Sequence, residues 1–147
     1  MNAPQFFLDS SFLIALIDAR DLHHTKAVGL LDKIENEDGE LFASDVVINE
    51  VLSVFAKRCE SRKATHQFED LITTFKKVLE PLPILCLYEL VTPHYNSIIK
   101  MMINYKARLN FHDCLIALFL KEVPEVNLVT FDSDFDEIEN LRIYPVR

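Results

Sequence analysis

The chain has no tryptophan, two glycines and three cysteines in 147 residues, and each shortage closes off a class of function. With Gly29 and Gly39 alone it can build neither a glycine-rich phosphate loop nor a dinucleotide fingerprint, which need several glycines at fixed offsets. Cys59, Cys86 and Cys114 are odd in number, lack paired metal-type spacing and stand in apolar surroundings. That pattern suits a reducing cytosol and makes them poor nucleophile candidates. The five histidines show no H-E-x-x-H spacing. Long apolar runs are missing as well. The longest, Cys114 to Leu120, is far short of a membrane span, and the N-terminus lacks a basic stretch ahead of a hydrophobic one. A soluble, cytoplasmic protein with no membrane association is expected. Positive charge is scarce: 15 Lys and Arg face 23 Asp and Glu, a net charge of −8. The molecule therefore cannot bind nucleic acid by overall charge, and any polyanion must be held locally.

What is present is hydrophobic material, half of all residues, enough for one domain over residues 1–147 with its own core. Strand and helix signals alternate. Gln5 to Leu8 reads as a strand, and Ser10 or Ser11 caps a helix through Asp18. A second helix runs from Leu22 to about Glu35, Asn36 to Gly39 is a turn, and Leu41 to Ala43 is the next strand. Ser44 or Asp45 caps a third helix, whose core stripe is Ile48, Val51, Leu52 and Phe55, with Glu50 off its centre. A helix over Ala64 to Leu79 is stopped by Pro81 and Pro83, and Ile84 to Leu87 is a strand candidate. Thr92-Pro93 opens a helix to Met102 or Ile103, and Asn110 to Lys121 forms the most apolar helix. A strand ending at Phe131, a short helix from Phe135 to Ile138 and a last strand, Arg142 to Val146, complete the chain.

Carboxylates stand where apolar segments end. Asp9 follows the first strand, Asp132 follows the strand ending at Phe131, Asp113 enters the first turn of the most apolar helix, and Glu50 lies early on a core-packed one. Each has an ordinary reading: Asp9 and Asp132 as turn or cap residues, Asp113 as half of a capping box with Asn110, Glu50 as a solvent-facing helix residue. Taken together they point elsewhere. In open α/β sheets ligands collect at the carboxyl edge of the strands, and parallel neighbouring strands would bring Asp9 and Asp132 together there. Clustered carboxylates repel one another, and an all-oxygen donor set selects a hard cation such as Mg²⁺ or Mn²⁺. Such an ion gives an acidic protein a local phosphate site and serves phosphodiester cleavage. A calcium loop at Asp132-Ser133-Asp134 is excluded, because Glu137 replaces the required glycine and Ile143 the closing glutamate.

The segments Leu8-Asp9-Ser10-Ser11, Asn49-Glu50-Val51, Asp113-Cys114-Leu115-Ile116-Ala117 and Thr130-Phe131-Asp132-Ser133-Asp134-Phe135 resemble, in order and spacing, the PIN domain, most closely the VapC-like toxin ribonucleases. The stretch Asp21-Leu22-His23-His24 with Ala27 resembles the region after the first helix of such toxins. The resemblance implies a three-layer α/β/α sandwich on a parallel sheet of four to five strands. It implies a Mg²⁺- or Mn²⁺-dependent endoribonuclease with an RNA substrate, a cognate antitoxin partner and a homodimeric state. Carried over by position, Asp9, Glu50, Asp113 and Asp132 are the acidic quartet. Asp9, Asp113 and Asp132 are the expected metal ligands, with Asp134 auxiliary to Asp132 or its alternative, and Glu50 binds metal or orients water. Ser10, Ser11 and Thr130 position the acids through hydrogen bonds.

Two rival functions stand beside this one: a non-catalytic binding module of the same fold, and a housekeeping nuclease of RNA maturation. Lys57, Arg58, Arg62 and Lys63, or Lys106 and Arg108, either hold backbone phosphates or form solvated helix faces. Phe75, Met101 and Met102 offer apolar surface for a dimer or antitoxin contact, or belong to the core.

Overall fold

The centre of the fold is the first strand, β1 (Gln5–Leu8), whose Phe6, Phe7 and Leu8 are all buried in the computed structural model, which describes residues 2–146. A strand without a polar face has to be covered on both sides, the condition of a central parallel strand. Its neighbours are β2 (Glu40–Ser44) on one side and β4 (Asn127–Val129) on the other, with Phe7 aligned to Phe42 and to Leu128. Outside them lie β3 (Ile84–Leu85) and β5 (Arg142–Tyr144), all pairings parallel, in the order β3-β2-β1-β4-β5. The expected parallel sheet is thus present with five strands.

That order places the site. The chain winds from β1 outward to β3, then returns past β1 to lay down β4. Right-handed crossovers therefore put α1 (Ser10–Ile17), α2 (His24–Asn36), α3 (Asp45–Ser61) and α4 (Phe68–Leu79) on one face, where they pack together. The returning helices α5 (Val91–Asn104) and α6 (Phe111–Glu122) pair on the other face. The two faces of β1 match this arrangement: the Phe7 ring meets Phe119 of α6 at 6.0 Å, and Phe6 lies on the side of Ile34 in α2. The connections leave β1 and β4 on opposite sides, and the resulting crevice opens at their carboxyl ends.

Gly39 is needed for space. Asp38 takes the left-handed position, at φ 54°, while a Cβ on Gly39 would lie 2.6 Å from Ile34 Cγ2 and 2.8 Å from Phe6 Cε2. The α2–β2 connection can lie this close to the core only with hydrogen at that position.

Several expectations are corrected. Neither Ser10 nor Ser11 caps α1: the cap position is Asp9, without a side-chain cap bond, because Ser11 is engaged across the sheet edge. Ser44 does cap α3, accepting the Val47 N–H at 3.4 Å. The helix expected from Ala64 is a 3-10 turn, Thr65–Gln67, followed by α4. Thr92-Pro93 does not open α5, which continues from a 3-10 turn over Leu87–Leu90 and starts at Val91. A 3-10 turn, Ser133–Glu137, replaces the short helix near Phe135. Phe75 is core, edge-on to Phe55 at 6.5 Å, and Met101 and Met102 are half-buried against the core. The exposed apolar residues of α5 are Tyr95, Ile99 and Ile103. Cys86 is exposed, whereas Cys59 and Cys114 are buried. Among the described residues no helix is long and apolar enough to cross a membrane.

Candidate active site

Beyond Leu8 and Val129 the backbone leaves the sheet, and the side chains that follow meet in a cleft of about 370 Å³. Its lining includes Asp9, Ser10, Ser11, Glu50, Asp113, Phe131 and Asp132, together with Asp21, His23 and Arg58. Besides Asp21, which pairs with Arg58, four acids from four separate segments share this cleft: the end of β1, the second turn of α3, the first turn of α6 and the exit of β4.

Asp9 is the most constrained of them. It is 3% exposed, and its Oδ2 accepts hydrogen bonds from Ser11 Oγ and Thr130 Oγ1, both at 2.7 Å. The backbone N–H groups of Phe131 and Asp132 donate in turn to Ser11 Oγ and Thr130 Oγ1, each at 3.0 Å. Those two bonds occupy the hydroxyls as acceptors and direct their protons to the carboxylate. The Ser11 and Thr130 oxygens lie 3.0 Å apart with both protons on the same carboxylate oxygen, so β1 and β4 are tied together through Asp9 and through the Phe131 N–H on Ser11. Ser10, 5% exposed, lines the cleft beside them.

Asp113 has two roles. Its Oδ2 accepts the Asn110 N–H at 3.1 Å while Asn110 Oδ1 accepts the Asp113 N–H at 2.9 Å, a complete capping box, and the same carboxyl faces the cleft. Asp132 Oδ1 accepts the Asp134 N–H at 2.9 Å. Asp134 is exposed and does not line the cleft; its backbone, and not its carboxyl, serves the site by orienting Asp132.

The electrostatics show acids crowded against one another. Burial raises Asp9 above its usual value, partly offset by the Ser11 and Thr130 hydroxyls. Burial also raises Glu50, and the charges of Asp9 and Asp132 add to it. Asp113 is pushed up to about 7, by burial first and then by the charges of Asp9, Glu50 and Asp132, against the opposing Asn110 N–H. Glu50 Oε2 is buried with no hydrogen-bond partner. A buried acceptor left unpaired costs about 1–3 kcal/mol, which a proton or a cation would remove. Among the described residues the side chains as placed do not make a ready three-ligand metal cluster. The donor chemistry nevertheless fits a hard divalent ion: oxygen only, several charges, one orphaned oxygen and two hydroxyl-oriented ones.

One support behind the cleft wall was not legible in the sequence. Asp18, at the end of α1, is 1% exposed, and it pairs with Arg58 at 3.1 Å, Arg62 at 3.4 Å and Arg20 at 3.4 Å. Burial works to raise Asp18, but the Arg20 N–H and the Arg58 and Arg20 side chains outweigh it, so its carboxyl is held low. The second arm of Arg58 reaches Asp21 at 2.9 Å, which fixes the guanidinium on the wall of the cleft. Of the cationic candidates, Arg58 alone lines the cleft; Arg108 pairs with Glu137 instead. Burial raises the Cys114 thiol to about 11, which removes it as a nucleophile.

A five-stranded parallel sheet with helices on both faces and an acidic cleft at its switch point defines an α/β protein whose site lies in its strand-end loops. The chain belongs to the PIN domain family, whose sequence profile matches residues 6–141. A comparison with curated protein sequences finds no match. Solved structures are similar in fold along nearly the whole chain. VapBC2 from Rickettsia felis, bound to a DNA fragment from its promoter, is 20% identical, covers 95% of this chain and 96% of its own, and has a TM-score of 0.65. VapC20 from Mycobacterium tuberculosis, a sarcin-ricin loop cleaving toxin, is 18% identical over 89% of this chain and 92% of its own, with a TM-score of 0.69. PAE2754 from Pyrobaculum aerophilum is 21% identical over 96% and 84%, with a TM-score of 0.61.

Proposed function

We propose that this protein is a Mg²⁺- or Mn²⁺-dependent endoribonuclease and the toxin of a toxin–antitoxin pair. The observation that carries the reading is the convergence of Asp9, Glu50, Asp113 and Asp132 on one cleft, with three of them raised by burial and mutual charge. Asp9, Asp113 and Asp132 hold the cation, and Glu50, with its orphaned Oε2, either joins them or orients the attacking water. When bound, such an ion supplies Lewis-acid stabilisation of the phosphodiester undergoing cleavage and lowers the pKa of water.

The chain's own residues do the positioning. Ser11 and Thr130 hold the Asp9 carboxylate in one orientation, and the Asp134 N–H holds that of Asp132. Arg58 presents a fixed cation to a backbone phosphate on the cleft wall, which gives an acidic protein a local anchor for RNA. The proposed products are a 5′-phosphate and a 3′-hydroxyl, with no covalent enzyme intermediate.

The antitoxin partner is supported by the VapBC assemblies among similar structures, from Rickettsia felis, Salmonella typhimurium and nontypeable Haemophilus influenzae. A homodimer and a cytoplasmic location belong to the same reading, and sedimentation of the purified chain tests the first. The nuclease itself is tested by incubating purified protein with a mixed RNA pool in Mn²⁺, Mg²⁺ or EDTA, beside Asp9→Asn. Metal-dependent cutting absent from the variant is the expected result. Folded, inhibitor-free protein that cuts nothing would instead favour a non-catalytic module of the same fold.

A further inference from the structure

An acidic chain of net charge −8 that handles RNA needs affinity that does not come from charge. At the cleft wall the imidazole of His23 is stacked on the ring of Phe131, with centroids 4.9 Å apart and planes 23° from parallel. Both side chains line the cleft, and Phe131 is next to Asp132 in the chain. The backbone beneath each ring is anchored. The backbone N–H of Phe131 is bound by Ser11 Oγ at 3.0 Å, the hydroxyl that also orients Asp9, and the backbone N–H of His23 by Asp21 Oδ1 at 3.0 Å. Phe131 is backed by Phe12 at 6.0 Å, and His23 itself is exposed. The same loop leaves Leu22 93% exposed, and the Lys26 ammonium lies 5.6 Å from the Phe131 centroid.

We infer that His23, backed by Phe131, is a stacking platform for one unpaired nucleobase of single-stranded RNA beside the phosphate held in the acidic cleft. The inference rests on the nuclease reading and adds to it a residue that holds a base. A flat ring fixed at the cleft wall accepts the face of any base, whereas in a duplex those faces are already covered. The platform thus selects unpaired or looped RNA, and it tolerates different bases because stacking reads no hydrogen-bonding edge. Phe131 holds the imidazole in place, so little freedom is lost when a base arrives.

The test uses the full chain carrying Asp9→Asn, to prevent cutting, and short oligoribonucleotides with 2-aminopurine at each position in turn. Fluorescence should be quenched at one position next to the cleavage site mapped with the unsubstituted protein. His23→Ala in the same background should lose that quenching and bind roughly tenfold more weakly, while His23→Phe retains both. An abasic site at the quenched position should cost a similar factor without any protein substitution, and should not add to the loss from His23→Ala. Equal binding and quenching by the His23→Ala protein, or full additivity with the abasic site, would overturn the platform while RNA cutting by the unsubstituted protein left the nuclease reading intact. RNA that is neither cut nor bound removes both.

Discussion

Asp113→Asn separates the two roles of one side chain. The amide oxygen can still accept the Asn110 N–H, so the capping box survives, but the charge is gone. In the folded protein Asp113 is pushed from 3.8 up to about 7, and at about 1.4 kcal/mol per unit this sets a ceiling near 4 kcal/mol on the cost of holding the ionised group at neutral pH. The lost attraction to the helix N-terminus, about 0.5 kcal/mol, and burial of the new amide work against the gain. Metal-free variant should therefore be about 1–3 kcal/mol more stable than its parent above pH 7. The sign follows from the raised pKa: the stability that goes with a neutral Asp113 is complete below 3.8 and is lost as pH rises through about 7. The variant's advantage should be nil near pH 4, grow across that window and then level off. Urea melts in EDTA at a series of pH values measure it, and RNA cutting is assayed on the same preparations. A variant less stable than the parent at neutral pH would show that capping outweighs repulsion and would refute the crowded-carboxylate account. Undiminished cutting would remove Asp113 from cation binding.

Millimolar Mg²⁺ or Mn²⁺ should raise the melting temperature of the unsubstituted protein by several degrees, and that of Asp9→Asn or Asp113→Asn by little, as scanning calorimetry with EDTA controls can show. Ser11→Ala leaves the Phe131 N–H and Asp9 Oδ2 each short of a partner, for a loss of about 1–3 kcal/mol, which Ser11→Thr should largely restore in denaturant melts if the hydroxyl is what matters. Gly39→Ala should destabilise by about 1–3 kcal/mol through contact with Ile34 and Phe6, yet leave RNA cutting intact when assayed well below its melting point.

Where residue type and local position decide the outcome, the sequence could be read. The run Phe6-Phe7-Leu8 into Asp9, and Leu128-Val129 into Thr130 and Asp132, showed both strand ends and the acids beyond them. The apolar Cys114 to Leu120 stretch showed a buried helix with Asp113 at its start. What stayed hidden depends on partners far away in the chain. Ser11 is a residue type that caps helices, but Asp9 takes its proton and the Phe131 N–H, brought across by β4, takes its acceptor site. Asp18 looked like an ordinary helix end until Arg58 and Arg62, at the C-terminal end of α3, enclosed it. Thr92-Pro93 has cap chemistry, yet the Leu87–Leu90 turn feeds straight into α5 and leaves nothing to cap. Asp134 illustrates the limit of spacing: two residues from Asp132, it faces solvent because a tight turn has already redirected the chain.

The tie between Ser11 and Thr130 also has a consequence in time. During synthesis Thr130 follows Ser11 by 119 residues, and Asp113 and Asp132 arrive with that later segment. The cleft therefore stays unassembled until β4 and the residues after it have been made. Whatever chemistry it performs begins only once the segment carrying Asp132 has joined the fold, so the chain from β1 to α5 holds only part of the acidic set.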